Sequence, residues 1–158
     1  MTRLFVDADA CPVKDEVYKV ALRYGLKTFV VANSFIQVPT HPLIERLIVN
    51  AGPDAADDWI AERCQTGDIV ITQDIPLADR ALKTGAQAIG NQGKPFTRDS
   101  IGSALAGREI GEHLRAMGVA TSGPRPFAAS DRSRFLQELD AAVHRARRAL
   151  ALQATQRR

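Results

Sequence analysis

The sequence predicts an α/β protein, a three-layer α/β/α sandwich on a mostly parallel sheet of about five strands. Three observations carry that prediction. Short apolar and β-branched runs alternate with helix-period stripes from residue 4 to residue 89. Turns rich in glycine, proline and aspartate separate them. Acidic residues recur just past the strand-like runs or at the starts of the helix-like ones, and strands alternating with helices at this spacing pair in parallel through right-handed crossovers.

Leu4 to Val6 is the first strand and runs into Asp7. Side chains two apart on a strand share a face, so if extension continues Asp7 and Asp9 point the same way. Pro12 suits a first helical turn, with Asp15 and Glu16 near the helix amino end. Val17, Val20, Ala21 and Tyr24 make its apolar stripe, and Gly25 ends it. Thr28 to Ala32 is a second buried strand closing in the polar pair Asn33-Ser34. After a loop with Pro39 and Pro42, Leu47-Ile48-Val49 reads as a third strand. Gly52-Pro53-Asp54 turns into a helix from Ala55 to Cys64.

Ile69 to Thr72 is β-branched throughout and is the clearest strand. It stops at Gln73-Asp74, and Pro76 opens a helix carrying Leu77, Ala81 and Leu82. Gly85 ends that helix, and Ala86 to Ile89 forms a fifth strand. Beyond Gly90 the pattern becomes helical. Ile101, Leu105, Ile110 and Leu114 mark one helix, weakened by Gly102, Gly107 and Gly111. Residues 118–129 read as an extended connector. Ser130 or Asp131 caps a last helix with the stripe Phe135, Leu139, Val143, Ala146 and Leu150. Residues 1–158 are expected to form one unit: an α/β core over 1–90, a helical part over 91–158 packed on it, and a basic tail over 145–158.

Composition narrows the function classes. A hydrophobic fraction of 45% and a charged fraction of 25% are those of an ordinary soluble protein. No apolar run is long enough to span a bilayer, so no membrane partner is expected. Cys11 and Cys64 fit no metal or redox spacing, which makes a reducing cytoplasm the default. The net charge is only +3, but Arg145, Arg147, Arg148, Arg157 and Arg158 follow the last acid, Asp140. That end is a positive pole suited to phosphate-bearing partners, or simply a solvated helix end that complements its own dipole.

The acids are the candidate chemistry. Asp7 with Asp9, Asp54 with Asp57 and Asp58, Asp74, and Asp79 recur at strand ends and helix starts. Capping alone accounts for acids at Asp54 and Asp74, and Asp79 reads as a solvated helical residue. Asp7 is too far from Pro12 to cap. Asp57 and Asp58 diverge by about 100° on a helix, so one faces the strand ends and the other supports it or meets solvent. Carboxylates gathered without histidine or cysteine favour Mg²⁺ or Mn²⁺, and such ions support phosphodiester displacement. Thr72 orients a ligand or holds a phosphate oxygen, unless it is only a β-branched strand residue. Lys14 is placed for a phosphate contact or an ion pair with the acids.

Other residues carry plainer readings. Cys11 near a helix start could ionise more readily, but a small buried residue is favoured, and Cys64 reads as core. His41, His113 and His144 stand in separate elements with no partner at ligand spacing. Trp59 reads as core rather than as a base-stacking platform.

Three stretches carry a resemblance. Val6 to Lys14, Gly52 to Ile60 and Gly67 to Ala78 resemble the YaiI/YqxD family of small bacterial proteins, and Gly123-Pro124-Arg125-Pro126-Phe127 with Asp131-Arg132 fit its carboxyl-terminal signature. That family is similar to PIN-like and flap-endonuclease-like nucleases, which bind Mg²⁺ or Mn²⁺ at acidic sites. The resemblance implies a PIN-like fold, Asp7 as the first-strand acid, Asp57 and Asp58 as helix-start acids, and Asp74 as a third. Related sequences carry Pro-Arg-Gly where this one has Asn91-Gln92-Gly93, so Lys94 or Arg98 would take over a phosphate contact.

The leading expectation is a metal-dependent nuclease acting on nucleic acid, RNA first. Asp7, Asp58 and Asp74 would be its catalytic metal ligands, with Asp9, Asp54, Asp57 and Thr72 in support. Lys14, Asn33, Ser34, Lys94 and Arg98 would contact the nucleic acid. One alternative is a haloacid-dehalogenase-like phosphatase with Asp7 as nucleophile and Asp9 as acid–base group. That reading wants a lysine and then an acidic pair after a later strand, whereas Asp57-Asp58 comes before the best one. The other is a non-catalytic nucleic-acid-binding or regulatory module using the arginine-rich last helix.

Overall fold

A computed structural model describes residues 1–9, 11–49, 52, 54–116 and 126–156, with the backbone alone over 108–116. The side chains of Ile110, His113 and Leu114, the connector over 118–125, the signature residues Gly123-Pro124-Arg125, and Arg157 and Arg158 lie outside the described residues. Five parallel strands form one sheet in the order β3-β2-β1-β4-β5. In chain order these are β1 (Arg3–Asp7), β2 (Lys27–Ala32), β3 (Ile44–Ile48), β4 (Ile69–Ile71) and β5 (Gln87–Ile89). The helices are α1 (Lys14–Tyr24), α2 (Ala55–Arg63), α3 (Ile75–Lys83), α4 (Arg98–Ala116) and α5 (Ala129–Gln156).

Alternation along β1 and β4 assigns the two outer layers. Leu4, Val6, Ile69 and Ile71 pack with α1 and α5 through Val17, Val20, Phe135 and Leu139. Phe5 and Val70 face the other way, onto Ala56, Ile60, Leu77 and Ala81 of α2 and α3. Trp59 belongs to this second layer, 6.0 Å from the ring of Phe5 and 5.5 Å from that of Phe29. The chain leaves β1 toward β2 and β3, then crosses back to lay β4 on the other flank of β1. The strand order reverses between β1 and β4, and sheets of this kind hold ligands at the carboxyl ends of the strands at such a point.

Several boundaries differ from those read in the sequence. β3 spans Ile44–Ile48 rather than 47–49. It is an edge strand, so Glu45 and Arg46 meet solvent without cost, and Glu45 pairs across to Lys27 at 3.5 Å. Pro12 precedes α1 instead of opening it, and Val13 takes the cap position. Neither Ser130 nor Asp131 caps α5. Asp131 lies inside the first turn, and its Oδ2 accepts the Ala128 amide at 2.8 Å, half of a capping box. Leu105 of the expected α4 stripe is exposed, while Ile101 is buried.

α5 runs the length of the sheet. Near its start, Gly93 lies so close that a Cβ there would come 2.5 Å from the Arg134 backbone. Near its end, Leu150 covers Gly67, just before β4. Residues 145–156 of the basic tail therefore lie toward the amino ends of the strands, across the molecule from the acids. Two of its arginines are used within the fold: Arg145 Nε donates to Gln87 at 2.8 Å and Arg147 sits 4.9 Å over the Tyr24 ring.

Candidate functional site

Asp7 closes β1, and the pairing of Val6 with Ile71 places Thr72 beside it on the next rung. By alternation both follow Phe5 and Val70 toward α2 and α3. The Thr72 hydroxyl donates to Asp7 Oδ2 at 2.8 Å and accepts the Asp74 amide at 2.9 Å, so one side chain ties the first acid to the third. Asp74 caps α3 through Oδ1, which accepts the Leu77 amide at 2.8 Å. Capping thus explains one of its two oxygens.

Asp57, at the amino end of α2, completes the group. Burial comes first, then the charges of Asp74 and Asp7, then a side-chain hydrogen bond with Asp74, and the Asp57 carboxyl is pushed up to about 7. A carboxyl placed this way keeps its proton to higher pH than an exposed one. Asp7 is raised too, by burial and then by Asp74 and Asp9, against the lowering effect of the Thr72 hydroxyl. Carboxyl groups from β1, α2 and the β4–α3 turn are therefore close enough to disturb one another's ionisation.

Asp58, expected as a ligand, stands elsewhere. It points to solvent and pairs with Arg80 Nη1 at 2.7 Å. The helix explains this: Ala56 and Ile60 are the buried face of α2, and Asp58 lies about 180° from their midpoint against about 80° for Asp57. Pairing the wheel with its apolar residues would have identified Asp57 from the sequence. Asp54 occupies the N-cap position, yet its side chain makes no capping bond, and its charge adds to the strain on Asp57.

The remaining candidates stand apart from this group. β1 ends at Asp7, so Asp9 does not share its face. Asp9 lies in the following turn, and its Oδ2 accepts the Asn33 amide at 2.9 Å. Asn33 and Ser34 are exposed past the end of β2. Lys14 Nζ donates to the Cys11 carbonyl at 3.2 Å. Lys94 and Arg98 are exposed beyond β5. Asn91 is buried, and its amide donates to Gln73 Oε1 at 2.6 Å. Asp79 pairs with Lys83 at 2.9 Å. Cys11 and Cys64 are free and buried, and burial raises both thiols, so Cys11 is no activated nucleophile.

Sequence reasoning missed Phe35. It is 69% exposed past β2, with the Arg46 guanidinium 4.4 Å over its ring. Its loop has no periodicity, and only an aromatic residue just past the polar pair Asn33-Ser34 marked it.

Among the described residues, no three histidine, cysteine, aspartate or glutamate side chains are gathered tightly enough to hold a metal ion by themselves. The donor set is all oxygen, however, and the charges of Asp74 and Asp7 that raise the Asp57 carboxyl would be relieved by a cation there. Mg²⁺ is commonly bound through one or two carboxylates while keeping several waters. Asp57 and Asp74, with Asp7 nearby, fit that mode.

No helix among the described residues is long and apolar enough to cross a membrane. No solved structure matches the chain. A "UPF0178 protein" of Caulobacter sp. (strain K31) is 69% identical over 148 residues, covering 94% of this chain and 98% of the relative. One of Nitrobacter winogradskyi is 60% identical over 149 residues, covering 94% and 95%. One of Rhodopseudomonas palustris (strain HaA2) is 59% identical over 144 residues, covering 91% and 88%. The model of the "Uncharacterized BCR, YaiI/YqxD family" matches residues 5–145, and the chain belongs to that family.

Proposed function

We propose that the chain is a Mg²⁺- or Mn²⁺-dependent nuclease that hydrolyses phosphodiester bonds of RNA, with Asp7, Asp57 and Asp74 as its reacting carboxylates. One observation carries this: Thr72 ties Asp7 to Asp74 at the sheet's switch point, and Asp57 of a third element lies near enough for both their charges to raise its carboxyl. Asp57 itself gains nothing for folding there, because it is worse solvated and repelled. Likeness to PIN-like nucleases belongs to the same reading.

When bound, the ion supplies positive charge for the phosphoryl oxygens and acidifies water. The residues of this chain position it. Thr72 fixes Asp7 and, through the Asp74 amide, the start of α3. The Leu77 amide holds Asp74 Oδ1. Water attacks phosphorus, one P–O ester bond breaks, the water proton passes to a site carboxylate, and the leaving oxygen takes up a proton from solvent. Phe35 and Arg46 offer a stacking and cationic surface on the same rim. The two buried free thiols support a reducing cytoplasm as the compartment.

The phosphatase reading has less support, since Asp9, its acid–base group, is turned onto the Asn33 amide. The binding-module reading draws instead on the basic helix end, whose described part stands at the opposite rim from the acids.

Cleavage of labelled single-stranded RNA and DNA with Mn²⁺ tests the proposal. Wild type and Asp58→Asn should cleave RNA, while Asp7→Asn, Asp57→Asn and Asp74→Asn should lose most of the rate. Equal rates across all five proteins would overturn it.

A further inference from the structure

A second feature adjoins the acids. Immediately before Asp74, Gln73 begins the wall of a cavity of about 290 Å³, closed by Gly90, the Gln92–Phe96 loop, and Ser100 and Ala104 of α4. It opens at the carboxyl ends of β4 and β5, on the rim that carries Asp74. Its size is at the lower end of small-molecule pockets and suits one flat heterocycle with its sugar.

The wall is a built one. The Gly90 amide donates to the Lys94 carbonyl at 3.0 Å, and the Gly93 amide donates to the Gly90 carbonyl at 3.1 Å. The Phe96 amide donates to Ala88 at 2.8 Å, which extends β5 by one more tie. Gln73 Oε1 accepts the Asn91 amide at 2.6 Å and passes so near Gly90 that a Cβ there would lie 2.7 Å from it. Gly93, at φ +79°, rests against the Arg134 backbone, which anchors the loop to α5. A loop this constrained loses little freedom when a ligand enters.

Its chemistry is selective. Pro95, Phe96 and Ala104 give flat apolar walls, the Gln92 carboxamide offers both a donor and an acceptor, and Lys94 brings positive charge to the mouth. Single-stranded RNA is recognised by stacking bases on aromatic side chains and bonding their edges. We propose that this cavity is a nucleobase subsite, holding the base next to the phosphodiester at the acids, with Phe96 stacking, Gln92 reading the edge and Lys94 on the phosphate. The subsite rests on the RNA reading but makes a separate claim, that one unpaired base is gripped here. A double helix does not fit, so single strands are the substrate form.

The test is binding of a fluorescein-labelled single-stranded RNA hexamer in EDTA, which needs no cleavage. Ala104→Trp fills the cavity and Gln92→Ala removes the edge contact, and both positions are open enough to keep the fold. Each should weaken binding, Ala104→Trp by about tenfold or more, the scale of one lost base stack. A hexamer of abasic residues should bind wild type and Ala104→Trp equally. Equal binding of the RNA hexamer by wild type and Ala104→Trp overturns the subsite even where Mn²⁺-dependent cleavage is intact. Absence of RNA binding by wild type overturns it as well. Base-dependent binding with no cleavage under any metal sustains the subsite and sinks only the nuclease.

Discussion

Replacing Asp57 by Asn should stabilise the metal-free protein, and only above mildly acidic pH. In the unfolded chain Asp57 ionises near 3.8, in the fold at about 7. Between those values the folded chain keeps a proton that the unfolded chain has released, so wild-type stability falls as pH rises through that window. Asn is neutral throughout and escapes the loss. At about 1.4 kcal/mol per tenfold step the displacement corresponds to roughly 4 kcal/mol. Asp57 is only half-buried, and screening by water reduces this to about 1–2 kcal/mol. Urea unfolding in EDTA at about pH 4, 6 and 8 measures it, with the m-value as the check that the transition itself is unchanged. The advantage of Asp57→Asn should be absent at the lowest pH and complete at the highest. A difference independent of pH, or a variant less stable than wild type at about pH 8, would refute the crowding of carboxylates on which the site rests.

Three more outcomes follow from the same geometry. Asp58→Ala breaks only an exposed pair with Arg80, so urea unfolding should shift by less than about 0.5 kcal/mol, and any RNA cleavage should persist. Thr72→Val removes the hydroxyl that Asp7 Oδ2 accepts, which should cost about 1–2 kcal/mol and raise the Asp7 carboxyl further, as followed by carboxyl carbon NMR during a pH titration. Asp68, 1% exposed, accepts from the Arg3 amide, from two Arg3 guanidinium nitrogens and from the Gln65 amide. Asp68→Ala should therefore destabilise by about 3–5 kcal/mol in urea, and a loss under about 1 kcal/mol would contradict the weight given to these four bonds.

The layers were legible because β1, β2 and β4 hold buried apolar runs and β5 is short and bounded by Gly85 and Gly90, while Gly25 and Pro76 punctuate α1 and α3 where caps require them. β3 was misplaced because an edge strand tolerates Glu45 and Arg46, which interrupt the signal that marks a central one. Asp7 and Asp74 were readable as strand-end and helix-start acids. The choice between Asp57 and Asp58 turned on how α2 docks, which the spacing of the acids alone does not encode, though Ala56 and Ile60 do. The Asp58–Arg80 pair joins α2 to α3, and the cavity joins the β4–α3 turn to α4. Both depend on contacts between segments far apart in the chain, which no local pattern records.

Titration of the chelated protein with Mn²⁺, followed by electron paramagnetic resonance of the free ion, tests most directly whether Asp7, Asp57 and Asp74 are a cation site. Wild type and Asp58→Asn should take up Mn²⁺ alike, and Asp57→Asn should bind at least about tenfold more weakly, no less than the loss of a residue that merely orients a ligand. Uptake that survives Asp57→Asn but fails in Asp58→Asn, or no uptake by wild type, would contradict the account.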